Sequence, residues 1–328
     1  MTPAMLSQHS GSPYEHSPTY RTATGTADAA AGRRKAFLAL LAAILVWGST
    51  FIVTKLVLAE IGPFALTFLR FSIGLLALYP FARRQGFRLD LALQPAFLRF
   101  GLTGIALFYA LQNLGLMFTS AGNAALIEAS IPAVAALASH VALKEPLGRL
   151  RLGGIALTIL GVVLVSGARP AGRGASTLIG NLLVFGAALS FAIYAVQGKR
   201  LVLSHPPAVT TAASFAAGLL FLLPLAAGEL YLGGAPRPSA SGWAITLYLA
   251  IGASALTLFL WNYALQHIDA SAAALYTSLV PVAGVGFALL LGESTAPLQL
   301  AGGSLAIAGV YVGNLPERAS AEHRARRD

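Results

Sequence analysis

Long apolar segments follow one another along most of the 328-residue chain, with short polar connections between them. A helix of about 20 apolar residues spans the ~30 Å hydrocarbon core of a bilayer, and the recurring segments are close to this length. Ten of them are predicted to be transmembrane helices: residues 36–57, 63–82, 97–118, 121–143, 152–168, 178–200, 207–227, 243–265, 270–291 and 298–315. The pattern therefore predicts an all-α polytopic membrane protein.

The two ends of the chain lack this apolar pattern. Residues 1–34 are rich in Ser, Thr, Pro and Gly, which is typical of a disordered tail, and residues 316–328 form a second polar tail. Arg33, Arg34 and Lys35 precede an apolar run, as in a signal peptide, but this run has full spanning length and no convincing small-residue cleavage site. We expect the first span to be retained.

The sequence contains an internal repeat. Residues 119–132 recur as residues 268–281 with their alanines, apolar residues and final proline in register. Extending the register brings further identical residues together, with a one-residue slip after the proline: Asn113 with Asn262, Glu145 with Glu293, Gly154 with Gly302, and Gly161 with Gly309. Such self-similarity indicates duplicated structural units. We predict two five-helix repeats, residues 35–168 and 178–315, joined by a linker at 169–177.

Composition excludes an ordinary soluble domain, because 56% of the residues are hydrophobic and only 10% are charged, against about 25% charged residues in soluble proteins. The mean hydropathy is +0.72. The chain has no cysteine, which excludes disulfides and thiolate metal or nucleophile sites.

Positive charge predicts the orientation, since Lys and Arg accumulate in cytoplasmic loops. With a cytoplasmic N-terminus, seventeen Lys and Arg residues fall on the inner side and three on the outer side: Arg169, Arg173 and Arg237. Both termini are therefore expected to be cytoplasmic. The net charge of +10 is explained by this asymmetry, and nucleic acid is not an expected partner.

Five helices per repeat is an odd number, so the second repeat must enter the membrane from the opposite side. Inverted repeats let secondary transporters place one central site that opens alternately to either face. The sequence thus predicts ten transmembrane helices arranged as two inverted five-helix repeats.

Specific motifs support a family assignment. The first span carries Trp47-Gly48-Ser49-Thr50-Phe51 and Lys55, the second carries Leu69-Arg70-Phe71, and each repeat closes with a proline-bearing helix, a Glu and a glycine-bearing helix. In this combination the chain resembles the EamA family of the drug/metabolite transporter superfamily over residues 36–315. A departure is Phe191, which stands in register with Trp47 where the family often has Trp.

The resemblance implies an inner-membrane carrier of small metabolites, often an exporter of amino acids or related compounds. It also implies that the first four helices of each repeat line a central cavity and that the fifth helices are peripheral. The expected partners are a small-molecule substrate and the lipid bilayer, and the oligomeric state is left open.

Polar residues share helix faces on several spans. On the third span Tyr109, Gln112 and Asn113 fall at i, i+3 and i+4, and Asn262 and Gln266 share a face of the eighth span. In lipid, such faces are either interhelical contacts or cavity lining, and the aligned set favours a shared polar cavity. The predicted substrate-binding residues are Trp47, Thr50, Arg70, Tyr109, Gln112, Asn113, Glu128, Tyr194, Trp261, Asn262 and Tyr276.

Ionisable residues inside the membrane are Lys55, Arg70, Glu128 and, near the inner end of the fourth span, His140. Such groups cost about 2.5–3.5 kcal/mol at mid-helix, so each carries a functional hypothesis. We expect Lys55 and Arg70 to attract a substrate carboxylate into an outer vestibule. The alternative is that each reaches the interface or anchors its helix.

Glu128 is the candidate for proton coupling, and its counterpart in the second repeat is the neutral Thr277. Loss of water favours a protonated carboxyl, and a nearby Arg70 or Lys55 would oppose this, so Glu128 is expected either to exchange a proton during transport or to pair with a substrate ammonium. The alternative is a structural ion pair or a hydrogen bond to a neighbouring helix.

Other residues have structural interpretations. Glu145 and Glu293 are expected to cap helices or tether loops, and Pro132 and Pro281 to kink their helices. Close helix packing is the expected role of Gly101, Gly104, Gly153, Gly154, Gly302 and Gly303.

An intramembrane enzyme is the rival class, but the sequence has no His-Glu-x-x-His, no paired aspartates on one helix and no phosphate-binding glycine loop. We predict no catalytic residues, metal site or cofactor. A passive channel stays open as an alternative, because inverted repeats also build channels.

Overall fold

The computed structural model describes residues 23–143, 148–167, 175–267, 276–277, 279–313 and 315. Several sequence predictions lie outside these residues. They include the tail before residue 23, Lys144 and Glu145, most of the linker with Arg169 and Arg173, the repeated segment 268–275, and the C-terminal tail from residue 316.

The regular elements of the described residues are all helices. The first half comprises α1 (Ala23–Val57), α2 (Pro63–Arg84), a short 3-10 helix (Leu89–Leu93), α3 (Pro95–Gly101), a π-helical segment (Leu102–Leu107), α4 (Phe108–Leu116), α5 (Ala121–Glu128), α6 (Ile131–Leu143) and α7 (Arg149–Gly167). The second half comprises α8 (Ala175–Ser204), α9 (Pro207–Gly233), α10 (Ala240–Leu247), a π-helical segment (Tyr248–Leu256), α11 (Thr257–His267), α12 (Leu279–Leu290) and α13 (Pro297–Gly313).

Seven helical stretches in the described part are long and apolar enough to cross a membrane, and α12 and α13 are shorter apolar helices. The prediction of an all-helical polytopic membrane protein is thereby confirmed. The count of ten spans and the inversion of the halves stay predictions.

Helix α1 begins earlier than the sequence predicted. The disordered tail was expected to reach residue 34, whereas the structure starts the helix at Ala23. Residues 27–31 include four alanines. Alanine has the highest helix propensity, and extending an existing helix avoids the cost of nucleation. The apolar pattern identified the spanning part of α1 but not its polar extension.

Prolines mark where helices start and break. Helices α2, α3, α9 and α13 each begin with a proline. The backbone N–H groups of a first helical turn have no acceptor within the helix, so a proline, which lacks this group, loses no hydrogen bond there. Pro132 interrupts the fourth predicted span as expected, since α5 ends at Glu128 and α6 begins at Ile131. Pro281 lies in the first turn of α12.

The two π-helical segments occupy matching places in the two halves. In the register that pairs Asn113 with Asn262, Leu102 pairs with Ile251 and Leu107 with Leu256. A π turn lengthens the hydrogen-bond spacing from i+4 to i+5 and is common at functional sites. Each segment continues directly into the helix that carries polar residues of its half, α4 or α11.

Glycines let helices of opposite halves touch through their backbones. Helix α7 packs along α13, and a Cβ added to Gly161 would lie 2.5 Å from the carbonyl oxygen of Gly302. Gly154 makes an equally close approach to Gly309. The packing role predicted for six glycines is confirmed for Gly101, Gly104, Gly154, Gly302 and Gly303, whereas Gly153 has nothing within 4 Å of its added Cβ.

Substitution of adjacent glycines provides a matched test of this contact. We expect Gly154→Leu to separate α7 from α13 and to lower the free energy of unfolding by about 1–3 kcal/mol, as overpacking does. Gly153→Leu, one residue away, should leave it unchanged, because its side chain enters open space. Thermal denaturation of both variants in detergent measures the difference. Equal stability of the two variants would contradict the packing assignment.

Candidate functional site

A cavity lies between the two halves. Helices α1, α4, α5 and α6 of the first half line it together with α8, α12 and residue 277 of the second. Its lining residues are Trp47, Thr50, Phe51, Phe108, Tyr109, Gln112, Glu128, Ile131, Phe191, Thr277, Val280 and Pro281. The lining is mostly apolar with a few polar groups, which is the usual composition of a small-molecule site.

Aromatic rings form much of the cavity wall. The Phe108 ring centroid lies 4.9 Å from that of Phe191 and 4.6 Å from that of Tyr109. Trp47 meets Phe191 edge-on at 6.5 Å. Edge-to-face and tilted contacts at these distances hold rings in fixed orientations. The wall therefore presents a firm apolar and aromatic surface.

Glu128 is the carboxyl group of the cavity. It is 8% exposed, and its Oε1 accepts a hydrogen bond of 2.5 Å from Nε2 of Gln112 on α4. Among the side chains that the structure describes, no cation pairs with it. Of the two structural alternatives, the hydrogen bond to a neighbouring helix is present, and the ion pair has no partner within the described residues.

Thr277, the repeat counterpart of Glu128, also lines the cavity. Equivalent positions of the two repeats thus meet the same space from opposite halves. One position supplies a carboxyl group and the other a hydroxyl group, so the cavity is chemically asymmetric although its framework is repeated.

Arg70 is buried beside the cavity without lining it. Its side chain is 1% exposed, Nε donates to Ser254 Oγ at 2.5 Å, and one terminal nitrogen donates to the Ala253 carbonyl at 3.2 Å. Its guanidinium lies 4.5 Å from the ring centroid of Tyr109. Because Ala253 and Ser254 belong to the second π-helical segment, Arg70 fastens α2 to the opposite half. This geometry supports the anchoring alternative for Arg70 over a role in an open vestibule.

Asn113 and Asn262 form the same contact in the two halves. Asn113 Nδ2 donates to Thr67 Oγ1 at 2.9 Å, and Asn262 Nδ2 donates to Thr211 Oγ1 at 2.8 Å. Each threonine in turn donates to the carbonyl of the proline that starts its helix, at 2.7 Å in both halves. The two asparagines therefore hold α4 on α2 and α11 on α9.

Five of the eleven predicted site residues line the cavity: Trp47, Thr50, Tyr109, Gln112 and Glu128. Besides Arg70 and the two asparagines, three others lie outside its lining and pack against aromatic rings. Tyr194 stacks on Phe100 at 4.0 Å, Trp261 lies 5.6 Å from Trp47, and Tyr276 meets Phe37 edge-on at 5.0 Å.

Sequence reasoning missed most of the apolar lining, namely Phe51, Phe108, Ile131, Phe191, Val280 and Pro281, together with Thr277. An apolar residue on a transmembrane helix gives no signal that distinguishes cavity from lipid. Repeat register could have found two of these residues, since Phe191 matches Trp47 and Thr277 matches Glu128.

Glu293 ties the two halves together at one end of the bundle. Its carboxylate accepts hydrogen bonds from the backbone N–H of Ala121 at 3.0 Å and of Gly122 at 2.8 Å, at the start of α5. Lys55 Nζ donates to the same carboxylate at 2.9 Å and to the Thr119 carbonyl at 3.0 Å. The predicted capping role of Glu293 is confirmed, and Lys55 belongs to this cluster.

Two further carboxylates make the same kind of contact. Glu229, near the end of α9, accepts from the backbone N–H of Ala65 in α2 at 2.6 Å. Glu60, just after α1, accepts from the backbone N–H of Ser239 at 2.6 Å and from its hydroxyl at 2.9 Å. With Glu293, three carboxylates connect opposite halves at the end where α1 stops and α2 starts. We refer to Glu60, Glu229 and Glu293 as the carboxylate ties.

The chain matches the model of the EamA-like transporter family at residues 34–167 and 178–315. It is 32% identical over 285 residues to an uncharacterized transporter of Archaeoglobus fulgidus, covering 85% of this chain and 96% of that protein. It is 31% identical to a probable terminal-alkyne amino-acid exporter of Streptantibioticus cattleyicolor, covering 85% of this chain and 93% of that protein. A probable amino-acid metabolite efflux pump of Salmonella typhimurium is 34% identical, with 85% and 94% covered.

A solved crystal structure of a protein aligns with a TM-score of 0.62 at 23% sequence identity. The alignment covers 84% of this chain and 95% of that protein. At this identity the likeness shows the fold alone.

The Asn262–Thr211 contact should be detectable as a coupling energy. Interhelical hydrogen bonds in membrane proteins average about 0.6 kcal/mol and reach about 1.7 kcal/mol. We expect a double-mutant cycle of Asn262→Ala and Thr211→Val, followed by unfolding in detergent, to give a value in this range. The cycle of Asn113→Ala and Thr67→Val should give a similar value, because its geometry is the same. Additive effects in both cycles would contradict the assignment.

Proposed function

The chain belongs to the EamA-like transporter family, and on that premise we propose that it exports amino acids or related small metabolites through the cavity between its halves. The observation that carries the proposal is a buried carboxyl group, Glu128, in an aromatic cavity to which matched positions of both repeats contribute. The similarity to proteins named as amino-acid or metabolite exporters supports it.

The protein is a multi-pass membrane protein, and we place it in the cell inner membrane with both termini cytoplasmic. The seventeen-to-three distribution of Lys and Arg between the two sides supports this orientation. In it, α1 ends at the outer face, so the carboxylate ties lie at the outer face. The proposed partners are a small-molecule substrate and the surrounding lipid.

Contacts between α7 and α13 support an inverted relation of the halves. Gly154 approaches Gly309, and Gly161 approaches Gly302. The repeat register pairs Gly154 with Gly302 and Gly161 with Gly309. Replacing each glycine of one contact by its counterpart in the other repeat therefore gives the other contact. A two-fold axis produces such reciprocal contacts.

A second pair of contacts is exchanged in the same way. A Cβ added to Gly74 would lie 2.9 Å from the Ala250 carbonyl, and one added to Gly101 would lie 2.6 Å from the Gly218 backbone nitrogen. The register that pairs Trp47 with Phe191 pairs Gly74 with Gly218, and the later register pairs Gly101 with Ala250. Helix α2 thus meets the second half as α9 meets the first, which supports inversion at a second interface.

Alternating access is the proposed mechanism, because inverted repeats around a shared cavity can open it to either face. Opening the outer face requires the two halves to separate there. The carboxylate ties are the polar contacts that such a movement would break. They therefore stabilise the outward-closed state relative to the outward-open state.

Glu128 is the proposed coupling or recognition group. A buried carboxyl without a cationic neighbour can take up a proton or bind the ammonium group of a substrate. Either event neutralises it, so proton and substrate can exchange at one position. The Nε2 donor of Gln112 orients this carboxyl group.

Two other classes are less well supported. A passive channel would share the repeats and the cavity, and counterflow in proteoliposomes distinguishes it, since only a carrier exchanges substrate for substrate. An intramembrane enzyme receives no support from the names of the relatives, which are transporters. Among the described residues no group of three His, Cys, Asp or Glu could hold a metal ion.

Glu128→Gln tests the role of the carboxyl group, because it keeps shape and hydrogen bonding while removing titration and charge. A hydrogen bond to a charged group contributes about 1.5–3 kcal/mol, so we expect apparent substrate affinity to fall about tenfold or more. The response to an imposed pH gradient should also be lost. Transport by proteoliposomes measures both, with the exposed Asp90→Asn as the control. Wild-type rate, affinity and pH response in Glu128→Gln would leave Glu128 with a structural role only.

The carboxylate ties are tested by accessibility of the cavity. The chain has no cysteine, so an Ile131→Cys variant carries a single thiol, in the cavity wall, whose labelling reports access to the cavity. A separate Arg237→Cys variant carries its thiol in the exposed connection before α10, and its labelling identifies the membrane face at which the carboxylate ties lie. We expect Glu293→Gln to increase labelling of the Ile131→Cys reporter by a membrane-impermeant thiol reagent added at that face. Asp90→Asn is the matched control. Labelling that does not change with Glu293→Gln would contradict a closing role for the tie.

A further inference from the structure

Among the described residues, the cavity lining offers an anionic group but no cationic one. Glu128 is the acidic residue of the lining, and no Lys, Arg or His occurs among the described residues that line the cavity. An ionised carboxylate removed from water without a balancing charge is costly. A bound cation would supply the missing charge.

The two described cations associated with this region are already engaged. Arg70 donates to Ser254 and to the Ala253 carbonyl. Lys55 is held by Glu293 and the Thr119 carbonyl. Neither lines the cavity, so a free carboxylate on a ligand would meet no partner of opposite charge among the lining residues that the structure describes. It would instead approach the charge of Glu128 in a medium of low dielectric constant, where like charges repel strongly.

The aromatic wall suits the same kind of ligand. A cation over an aromatic face gains about 0.5–2 kcal/mol, more when water is excluded. Trp47, Phe108 and Phe191 line the same cavity as Glu128, and their rings would also cover an apolar group of the ligand. An ammonium and an apolar substituent are therefore both accommodated.

Trp47 favours a ligand that carries an uncharged hydrogen-bond acceptor. Its indole N–H is buried and has no hydrogen-bond acceptor among the described residues. A buried donor left without a partner costs about 1–3 kcal/mol. Because the Trp47 ring lines the cavity, a turn of the ring would present the N–H to an uncharged acceptor on the ligand, such as an amide or ester carbonyl or a hydroxyl group.

We propose that the cavity binds amphipathic amines whose ammonium pairs with Glu128, whose apolar group packs on the aromatic wall and whose neutral oxygen accepts from Trp47. Amines, amino alcohols and amino-acid amides or esters fit this description, and a free carboxylate is not recognised. The proposal rests on the transport function proposed above and restricts its substrates to related metabolites in which the carboxyl group of an amino acid is absent, amidated or esterified.

Four probes that share a phenyl group separate the contributions. They are 2-phenylethylamine, phenylalaninamide, phenylalanine and 3-phenylpropionate. Binding to the purified full chain in detergent is measured by titration calorimetry. We expect the amide to bind most tightly, the amine to follow, and both to bind at least about tenfold more tightly than 3-phenylpropionate. The proposal is overturned if phenylalanine binds tenfold more tightly than its amide, if 3-phenylpropionate matches the amine, or if none of the four binds.

Two substitutions test the recognition groups one at a time. Glu128→Gln should remove the preference for the amine over 3-phenylpropionate. Trp47→Phe keeps an aromatic ring, as at Phe191 in the other half, but removes the N–H. It should weaken binding of the amide about tenfold and leave binding of the amine unchanged. Equal weakening of amide and amine by Trp47→Phe would overturn the role of the N–H donor.

Counterflow in proteoliposomes distinguishes this proposal from the transport function. Exchange of phenylalanine alone would leave the carrier intact and overturn the substrate class. Binding of amine and amide without counterflow of any probe would support the recognition site and overturn the carrier. Exchange of amine and amide, with no exchange of 3-phenylpropionate, is the result expected when both proposals hold.

Discussion

The association of the two halves depends on how the first backbone N–H groups of several helices find partners. These groups have no acceptor within their own helix, and the positive end of the helix dipole favours a carboxylate beside them. In this protein the acceptors come from the opposite half: Glu293 at α5, Glu229 at α2 and Glu60 just before α10. Part of a local requirement of each helix is therefore met by the opposite half, while Ser120 and Ser239 cap α5 and α10 from within their own halves.

Three other kinds of contact hold the helices together. Glycines bring α7 and α13 into backbone contact at their crossing. The Asn–Thr pairs fix the helices within each half, and Arg70 crosses to the second π-helical segment. With these polar groups used for assembly, few polar side chains remain among the described residues that line the cavity. Its chemistry depends on Glu128, Gln112, the two threonines and two aromatic residues with polar atoms.

The sequence predicted the all-helical membrane architecture, because the length of an apolar segment reports directly on whether it can cross a bilayer. It also predicted the break at Pro132 and the capping role of Glu293. The residues of the candidate site were harder to predict from the sequence. Tyr109, Gln112 and Asn113 share one helix face, but the first two reach the cavity while Asn113 reaches Thr67 on α2. Spacing along a helix says which side chains are neighbours, and it does not say which neighbouring helix each of them meets.

The π-helical segment before α4 has a consequence for how this site can change. Successive residues of a helix are separated by about 100° of rotation, so a turn with an extra residue shifts the rotational phase of all that follows. Tyr109 and Gln112 stand just beyond Leu107 and owe their direction to that phase. Loss of a single codon within residues 102–107 would let an ordinary α-helical turn replace the π turn and leave this wall facing the cavity, whereas the same loss just beyond Leu107 would turn part of the wall toward other helices. The site therefore depends on the number of residues in the helix that carries it as well as on the identity of its side chains.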